Sequence, residues 1–180
     1  MRIIAGSRKG HRIAAPKGLT TRPTGDRARE AAFDLIGPVD DAVVLDLFAG
    51  SGAMGLEALS RGAVRCVFVE SHPVAARAIQ ANLTSLRLSG AVVVRRGVMD
   101  VLREEAVSGR RYDLVLADPP YEAWAELQPK LAERLPAVLA PDGVVVVETA
   151  AKLEPELPFD LVTSRRYGSA RITLYRSHAT

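Results

Sequence analysis

From residue 43 onward, short β-branched runs alternate with longer stretches of helical period, and this alternation constrains the fold more than any other feature of the chain. Strands are expected at Val43–Phe48, Arg65–Glu70, Ala91–Arg96, Tyr112–Ala117 and Gly143–Glu148. Helices are expected between them at Ala53–Arg61, Pro73–Leu86, Val98–Ala106 and Ala123–Leu139, the last with an apolar face of Leu127, Leu131, Leu135, Val138 and Leu139. A strand that is apolar along its length needs cover on both faces, and successive βα units supply it as helices packed on both sides of a mostly parallel sheet. The fold class is therefore α/β. After Pro158, the segments 159–166 and 170–176 are separated only by Tyr167-Gly168-Ser169, which predicts a C-terminal antiparallel hairpin.

Before residue 43 the character differs. Ile3-Ile4-Ala5-Gly6 and His11-Arg12-Ile13-Ala14 flank Ser7-Arg8-Lys9-Gly10, which predicts a small basic β-hairpin. A helix capped by Thr24 or Asp26 should then run through Ile36 and stop at Gly37-Pro38. The expected organisation is an N-terminal hairpin extension over residues 1–20 and a single core over residues 21–180.

At 180 residues the chain suffices for one core, and apolar runs such as Val144–Val147 fall far short of the roughly 20 residues that a membrane span needs. The start of the sequence lacks the apolar stretch of a secretory signal, so a cytoplasmic, membrane-free protein is expected. The lone Cys66 excludes an internal disulfide and argues against a thiolate metal cluster, so no metal is expected. A monomer is expected. The net charge of +3 conceals opposed blocks: residues 1–30 carry eight basic side chains against two acids, residues 31–160 carry 12 against 19, and residues 161–180 carry four against none. An acidic middle with basic ends fits a polyanion-binding surface contributed by the termini.

Two motifs carry chemistry. The first, Val43 to Gly55, contains Gly50-Ser51-Gly52-Ala53-Met54-Gly55 between a strand and a helix, where backbone can approach a ligand closely and a helix N-terminus faces it. Asp46 precedes the glycines and Glu70 closes the next strand, where a carboxylate can accept both ribose hydroxyls of a nucleoside cofactor. This suits either a dinucleotide or S-adenosylmethionine. The second is Asp118-Pro119-Pro120-Tyr121, directly after an apolar strand. Its prolines forbid helix and leave free carbonyls in a stiff loop at the ligand-binding edge of the sheet. An acid with adjacent carbonyls can accept hydrogen bonds from an exocyclic amino group, and Tyr121 offers a ring for stacking on a base.

These two motifs resemble those of class I S-adenosylmethionine-dependent methyltransferases that modify exocyclic amino groups. The string Thr21-Arg22-Pro23-Thr24-Gly25-Asp26-Arg27-Ala28-Arg29-Glu30, preceded by Arg2-Ile3-Ile4-Ala5-Gly6, is similar to the RsmD family of bacterial 16S rRNA guanine-N(2) methyltransferases, and Leu56 to Ala63 extend the likeness over nearly the whole chain. The resemblance implies a Rossmann-like methyltransferase sheet and S-adenosylmethionine as cofactor. It also implies 16S rRNA or the assembling small ribosomal subunit as partner.

On this reading Asp118, Pro119, Pro120 and Tyr121 are the catalytic residues, and Asp46, Phe48, Ala49, Gly50, Ser51, Gly52 and Glu70 hold the cofactor. The loop after the third strand, Arg96-Gly97-Val98-Met99-Asp100, lacks the early acid that many relatives use on adenine, so backbone groups near Val98 are expected to read it, with Met99 as apolar packing at the cofactor. Asp100 also suits a helix-start acid. Arg8, Lys9, Arg12, Arg22, Arg27 and Arg29 are the expected nucleic-acid contacts, with bracing of the cofactor as an alternative duty for the last three. A DNA adenine methyltransferase, a nicotinamide dehydrogenase and a non-catalytic nucleic-acid-binding module remain open, since fold does not imply function.

Overall fold

A computed structural model describes residues 1–16, 18 and 25–178. One sheet contains β1 (Val43–Leu47), β2 (Arg65–Val69), β3 (Ala91–Val94), β4 (Tyr112–Ala117), β5 (Leu139–Ala150), β6 (Asp160–Tyr167) and β7 (Ala170–Arg176). Their spatial order is β3-β2-β1-β4-β5-β7-β6, with the first five parallel and β7 antiparallel to both its neighbours. The order reverses direction between β1 and β4, and open α/β sheets bind ligands at the carboxyl ends of the strands on either side of such a point.

Helices α1 (Asp26–Ile36), α2 (Ala53–Ser60) and α3 (Pro73–Leu86) cover one face, and α4 (Val98–Val107) and α5 (Trp124–Arg134) cover the other. Strand alternation divides the core accordingly. In β1, Val44 packs with Phe33, Leu56 and Ile79 of the first layer, whereas Leu45 and Leu47 pack with Leu102, Trp124 and Leu131 of the second. Cys66 is fully buried in the first layer, and burial, followed by the nearby Asp46 charge, pushes its thiol well above the ordinary range. The native protein is therefore expected to resist a thiol reagent such as iodoacetamide and to react stoichiometrically once unfolded. Rapid alkylation of the folded chain would contradict this packing.

Four sequence expectations change. The single helix expected over 123–139 is a 3-10 turn at Tyr121–Ala123, then α5, then a second 3-10 turn at Leu135–Ala137. Pro136 has no N–H to continue the helical ladder. β5 starts earlier than expected, and its pairing jumps from Tyr112–Leu139 to Leu114–Val144 where Asp142 takes a φ of 59°. Most consequentially, the N-terminal β-hairpin is absent. A lone antiparallel bridge joins Arg2 and Arg12, and Gly6–Arg8 forms a 3-10 turn.

The physical reason is competition for backbone groups. Glu57 of α2 accepts the Ile4 and Ala5 N–H groups, each at 2.9 Å, and Ser60 Oγ accepts from the Arg8 N–H at 3.0 Å while donating to the Ala5 carbonyl at 2.7 Å. Ile3 and Ile13 are buried against the same layer. The facing segments still bond across the Arg2–Arg12 bridge, Ile3 N–H to the His11 carbonyl at 2.9 Å and Ile13 N–H to the Met1 carbonyl at 3.0 Å, but the N–H groups of Ile4, Ala5 and Arg8 turn to helix side chains, so no ladder extends beyond that bridge. The cap of α1 also differs: Gly25 occupies the N-cap, and Asp26 is the first helical residue. Thr24, the other expected cap, lies outside the described residues. No helix among the described residues is long and apolar enough to cross a membrane.

Candidate active site

The strand register sets four residues side by side at one sheet edge. Leu47 pairs with Val69 and with Ala117, and Ala117 pairs with Val147, so the next residues along, Glu70, Phe48, Asp118 and Glu148, form a row across β2, β1, β4 and β5. Above this row lies a cleft of about 650 Å³, bounded by Phe48, Gly50, Glu70, Val98 and the run Asp118-Pro119-Pro120-Tyr121. That volume is in the range of small-molecule sites.

On the β1–β2 side, the glycine loop is held from both ends. Glu70 accepts the Gly50 N–H at 2.8 Å through one carboxylate oxygen and the His72 N–H at 2.7 Å through the other. Each oxygen keeps a second lone-pair direction for a ligand hydroxyl. His72 itself caps α3, its Nδ1 accepting the Val74 N–H at 3.2 Å. Asp46 does not border the cleft. Its place in β1 turns it toward the first helix layer, where it is 3% exposed and accepts the Gly55 N–H at 3.0 Å. Burial pushes its carboxyl well above the usual carboxylate range, the Gly55 hydrogen bond works against that, and the charges of Asp118 and Glu70 add to it.

Only glycine fits at position 55, because a Cβ there would come within 2.4 Å of Phe68 Cε1 and 2.7 Å of Cys66 Sγ. Asp46 therefore braces the loop from beneath. Phe48 lies in the left-handed region at φ 58°, an uncommon conformation for a bulky residue, at the turn where the chain leaves the sheet.

On the β4–β5 side, the Tyr121 hydroxyl donates to Glu148 Oε1 at 3.1 Å. Asp118 and Glu148 also border a water-sized cavity of about 20 Å³ shared with Asp46. Sequence reasoning passed over Glu148, although it ends an apolar run in the same manner as Glu70. Trp124 is buried, with Nε1 donating to Gln128 Oε1 at 2.9 Å, and belongs to the second core layer. Val98 opens α4 and borders the cleft, whereas Met99 packs against the second core layer and Asp100 pairs with Arg103 at 3.0 Å. Ala49, Ser51 and Gly52 belong to the loop but are not cleft walls.

The basic residues separate into distinct kinds. Lys9, Arg12 and Arg27 are exposed. Arg8 is engaged with the C-terminal end of α3, donating to the Leu86 carbonyl and, at 3.2 Å, to that of Arg87, a favourable place for a cation at a helix terminus. Arg29 is a correction: expected on nucleic acid, it is 0% exposed, bonded to Asp26 at 2.9 Å and to the Arg2 carbonyl, with Nε 3.5 Å from Glu57. From that position it cannot reach a phosphate. Arg22 lies outside the described residues.

Comparison with known proteins agrees with this arrangement. The family model described as conserved hypothetical protein 95 matches residues 1–176. The putative rRNA methyltransferase YlbH of Bacillus subtilis is 38% identical over 98% of both chains. The ribosomal RNA small subunit methyltransferase D of Escherichia coli is 39% identical over 67% of this chain and 60% of its own length. Among solved structures, the putative methyltransferase yhhF of Escherichia coli superposes with a TM-score of 0.83 at 33% identity, covering 100% of this chain and 99% of that one. A hypothetical protein of Thermus thermophilus gives 0.84 at 33%, covering 97% and 98%. The chain therefore belongs to the conserved hypothetical protein 95 family, the RsmD-like S-adenosylmethionine-dependent methyltransferases.

Proposed function

We propose that the chain transfers a methyl group from S-adenosylmethionine to the 2-amino group of a guanine in small-subunit ribosomal RNA. The observation that carries this reading is the single cleft in which the Glu70-braced glycine loop faces Asp118-Pro119-Pro120-Tyr121. The names of the YlbH and small-subunit methyltransferase D relatives favour ribosomal RNA as the substrate class. Glu70 is suited to the ribose hydroxyls, the backbone near Val98 to adenine, and the loop from Phe48 through Gly52 to the amino-acid portion. Asp46 serves by fixing that loop.

When bound, the cofactor supplies an electrophilic methyl group. The chain's own work is orientation, because the guanine amino nitrogen is a poor nucleophile with its lone pair delocalised into the ring. Asp118 and the Pro119 carbonyl accept the amino protons, which turns the lone pair toward the cofactor side of the cleft. The Asp118 carboxylate also offsets positive charge that develops on the nitrogen, which sheds its extra proton to solvent after transfer. Tyr121 stacks on the displaced base, its ring steadied by Glu148.

The test is incubation with radiolabelled S-adenosylmethionine and small subunits lacking the modification, followed by nucleoside analysis. The expected product is N(2)-methylguanine at one position. Label in N(6)-methyladenine of DNA, with none in ribosomal particles, would overturn the reading. The RNA surface has its own test. Reversing Lys9 and Arg12 together to Glu is expected to weaken RNA binding about tenfold and to lower its log–log salt slope by about two, while cofactor affinity holds. Unchanged binding would reduce these charges to a solubilising role.

A further inference from the structure

Asn82 is a polar side chain on α3, 3% exposed and outside the cleft. Its carboxamide is committed on both sides: Nδ2 donates to the Ala14 carbonyl at 3.0 Å and to the Ser51 carbonyl at 3.2 Å, and Oδ1 accepts the Ala14 N–H at 2.9 Å. Ser51 belongs to the glycine loop, between Gly50, which forms a wall of the cleft, and Gly52, whose Cβ position faces Ile79 one turn away on the same helix at 3.1 Å. Ala14 ends the docked N-terminal segment, which carries the exposed Lys9 and Arg12. One buried amide is thus the shared partner of the loop that faces the cofactor site and the segment that carries the basic charge.

We infer that Asn82 is a positioning residue that couples the two binding events, so that a nucleoside cofactor which fixes the glycine loop also secures the N-terminal segment for RNA. The inference rests on the reading of the cleft and its substrate proposed above. The physical argument is one of shared partners. A ligand against Gly50 restricts the loop, the Ser51 carbonyl then holds Nδ2, and the restrained carboxamide presents its remaining donor and acceptor to Ala14 without further ordering cost. By linkage, RNA that secures the segment must raise cofactor affinity by the same factor.

The experiment uses the full chain, S-adenosylhomocysteine as the cofactor probe and a small-subunit RNA fragment. In the wild type, S-adenosylhomocysteine is expected to slow amide hydrogen exchange at Ala14 as well as in the glycine loop, and to tighten RNA binding by about fivefold, the lower end of ordinary coupling. Asn82→Asp keeps the acceptor for the Ala14 N–H but loses both donated bonds. It is expected to retain slowing in the loop, lose it at Ala14, and bring the RNA affinity ratio to about one. A fold defect alone would weaken both affinities without erasing their ratio. The wild-type exchange measurement needs no variant: if both ligands bind yet Ala14 is indifferent to S-adenosylhomocysteine, the coupling is wrong and the reading of the cleft stands. Full coupling in Asn82→Asp overturns the role of Asn82. If the wild type binds neither ligand, the coupling and the proposed function fall together.

Discussion

Replacing Asp118 with Ala is expected to lower the single-turnover rate on the order of a thousandfold while leaving the affinity for S-adenosylmethionine within about threefold of the wild type. Loss of one preorganised electrostatic group in a closed site costs about this much, equivalent to roughly 4 kcal/mol of barrier. Asp118 follows β4 at the reversal of strand order, with Pro119 and Pro120 limiting the loop behind it. Asp118→Asn retains an acceptor oxygen without the charge, so an intermediate loss, on the order of tenfold to a hundredfold, separates orientation from charge stabilisation. A melting midpoint close to that of the wild type separates the expected defect from unfolding. The Asp118 charge is among the causes that raise the Asp46 carboxyl, and its removal relieves a repulsion near a buried group. Full activity in the alanine variant would sink the assignment of this loop.

The parts of the fold that were legible in the sequence are those whose pattern is local. Val43–Leu47 and Tyr112–Ala117 are apolar apart from Asp46 and Asp113 because helices cover both faces, and Asp46 near the end of the first and Asp118 just after the second mark the ligand edge. Glu148 was equally available to that logic, since it follows Val144–Val147 as Glu70 follows Arg65–Val69. Glu57, Asn82 and Arg29 were not legible. A polar residue on a helix looks solvated until the neighbouring segment is known, and here the neighbour is more than 50 residues away for Glu57 and 68 away for Asn82. Counting charge along the chain likewise grouped Lys9, which is exposed, with Arg8, which caps α3, and with Arg29, which is wholly buried. The N-terminal hairpin fails for the same reason: Ile3 and Ile13 bond across to the facing segment, but the donors of Ile4 and Ala5, which would extend the ladder, go to a helix side chain distant in sequence.

Glu57→Ala is expected to destabilise the protein by about 3–5 kcal/mol, the cost of removing one partner from a buried cluster of charges and backbone donors. Glu57 is 0% exposed and accepts from the Ile4 N–H, the Ala5 N–H and Arg61 Nε at 2.8 Å, beside Arg29. Truncation strands two backbone donors and leaves Arg29 facing a void, although its Nε and Nη1 already lack hydrogen-bond partners. At about 2–4 °C per kcal/mol for a domain of this size, the melting midpoint should fall by about 10 °C. The segment cannot compensate by shifting. Gly6 is pressed onto α2 so closely that a Cβ would lie 1.8 Å from the Ser60 carbonyl oxygen, which fixes the approach of the chain. Two further variants apportion the loss. Glu57→Gln keeps an acceptor but no charge and should fall between the alanine variant and the wild type. Adding Arg29→Met to Glu57→Ala removes a buried cation whose Nε has lost its nearby carboxylate and whose remaining ion pair is with the half-exposed Asp26, so the double variant should be more stable than Glu57→Ala alone. If segment release precedes global unfolding, limited proteolysis near residues 4–12 will accelerate before the main transition moves. A midpoint within about 1 °C of the wild type, with unchanged proteolysis, would remove Glu57 as the anchor of the N-terminal segment.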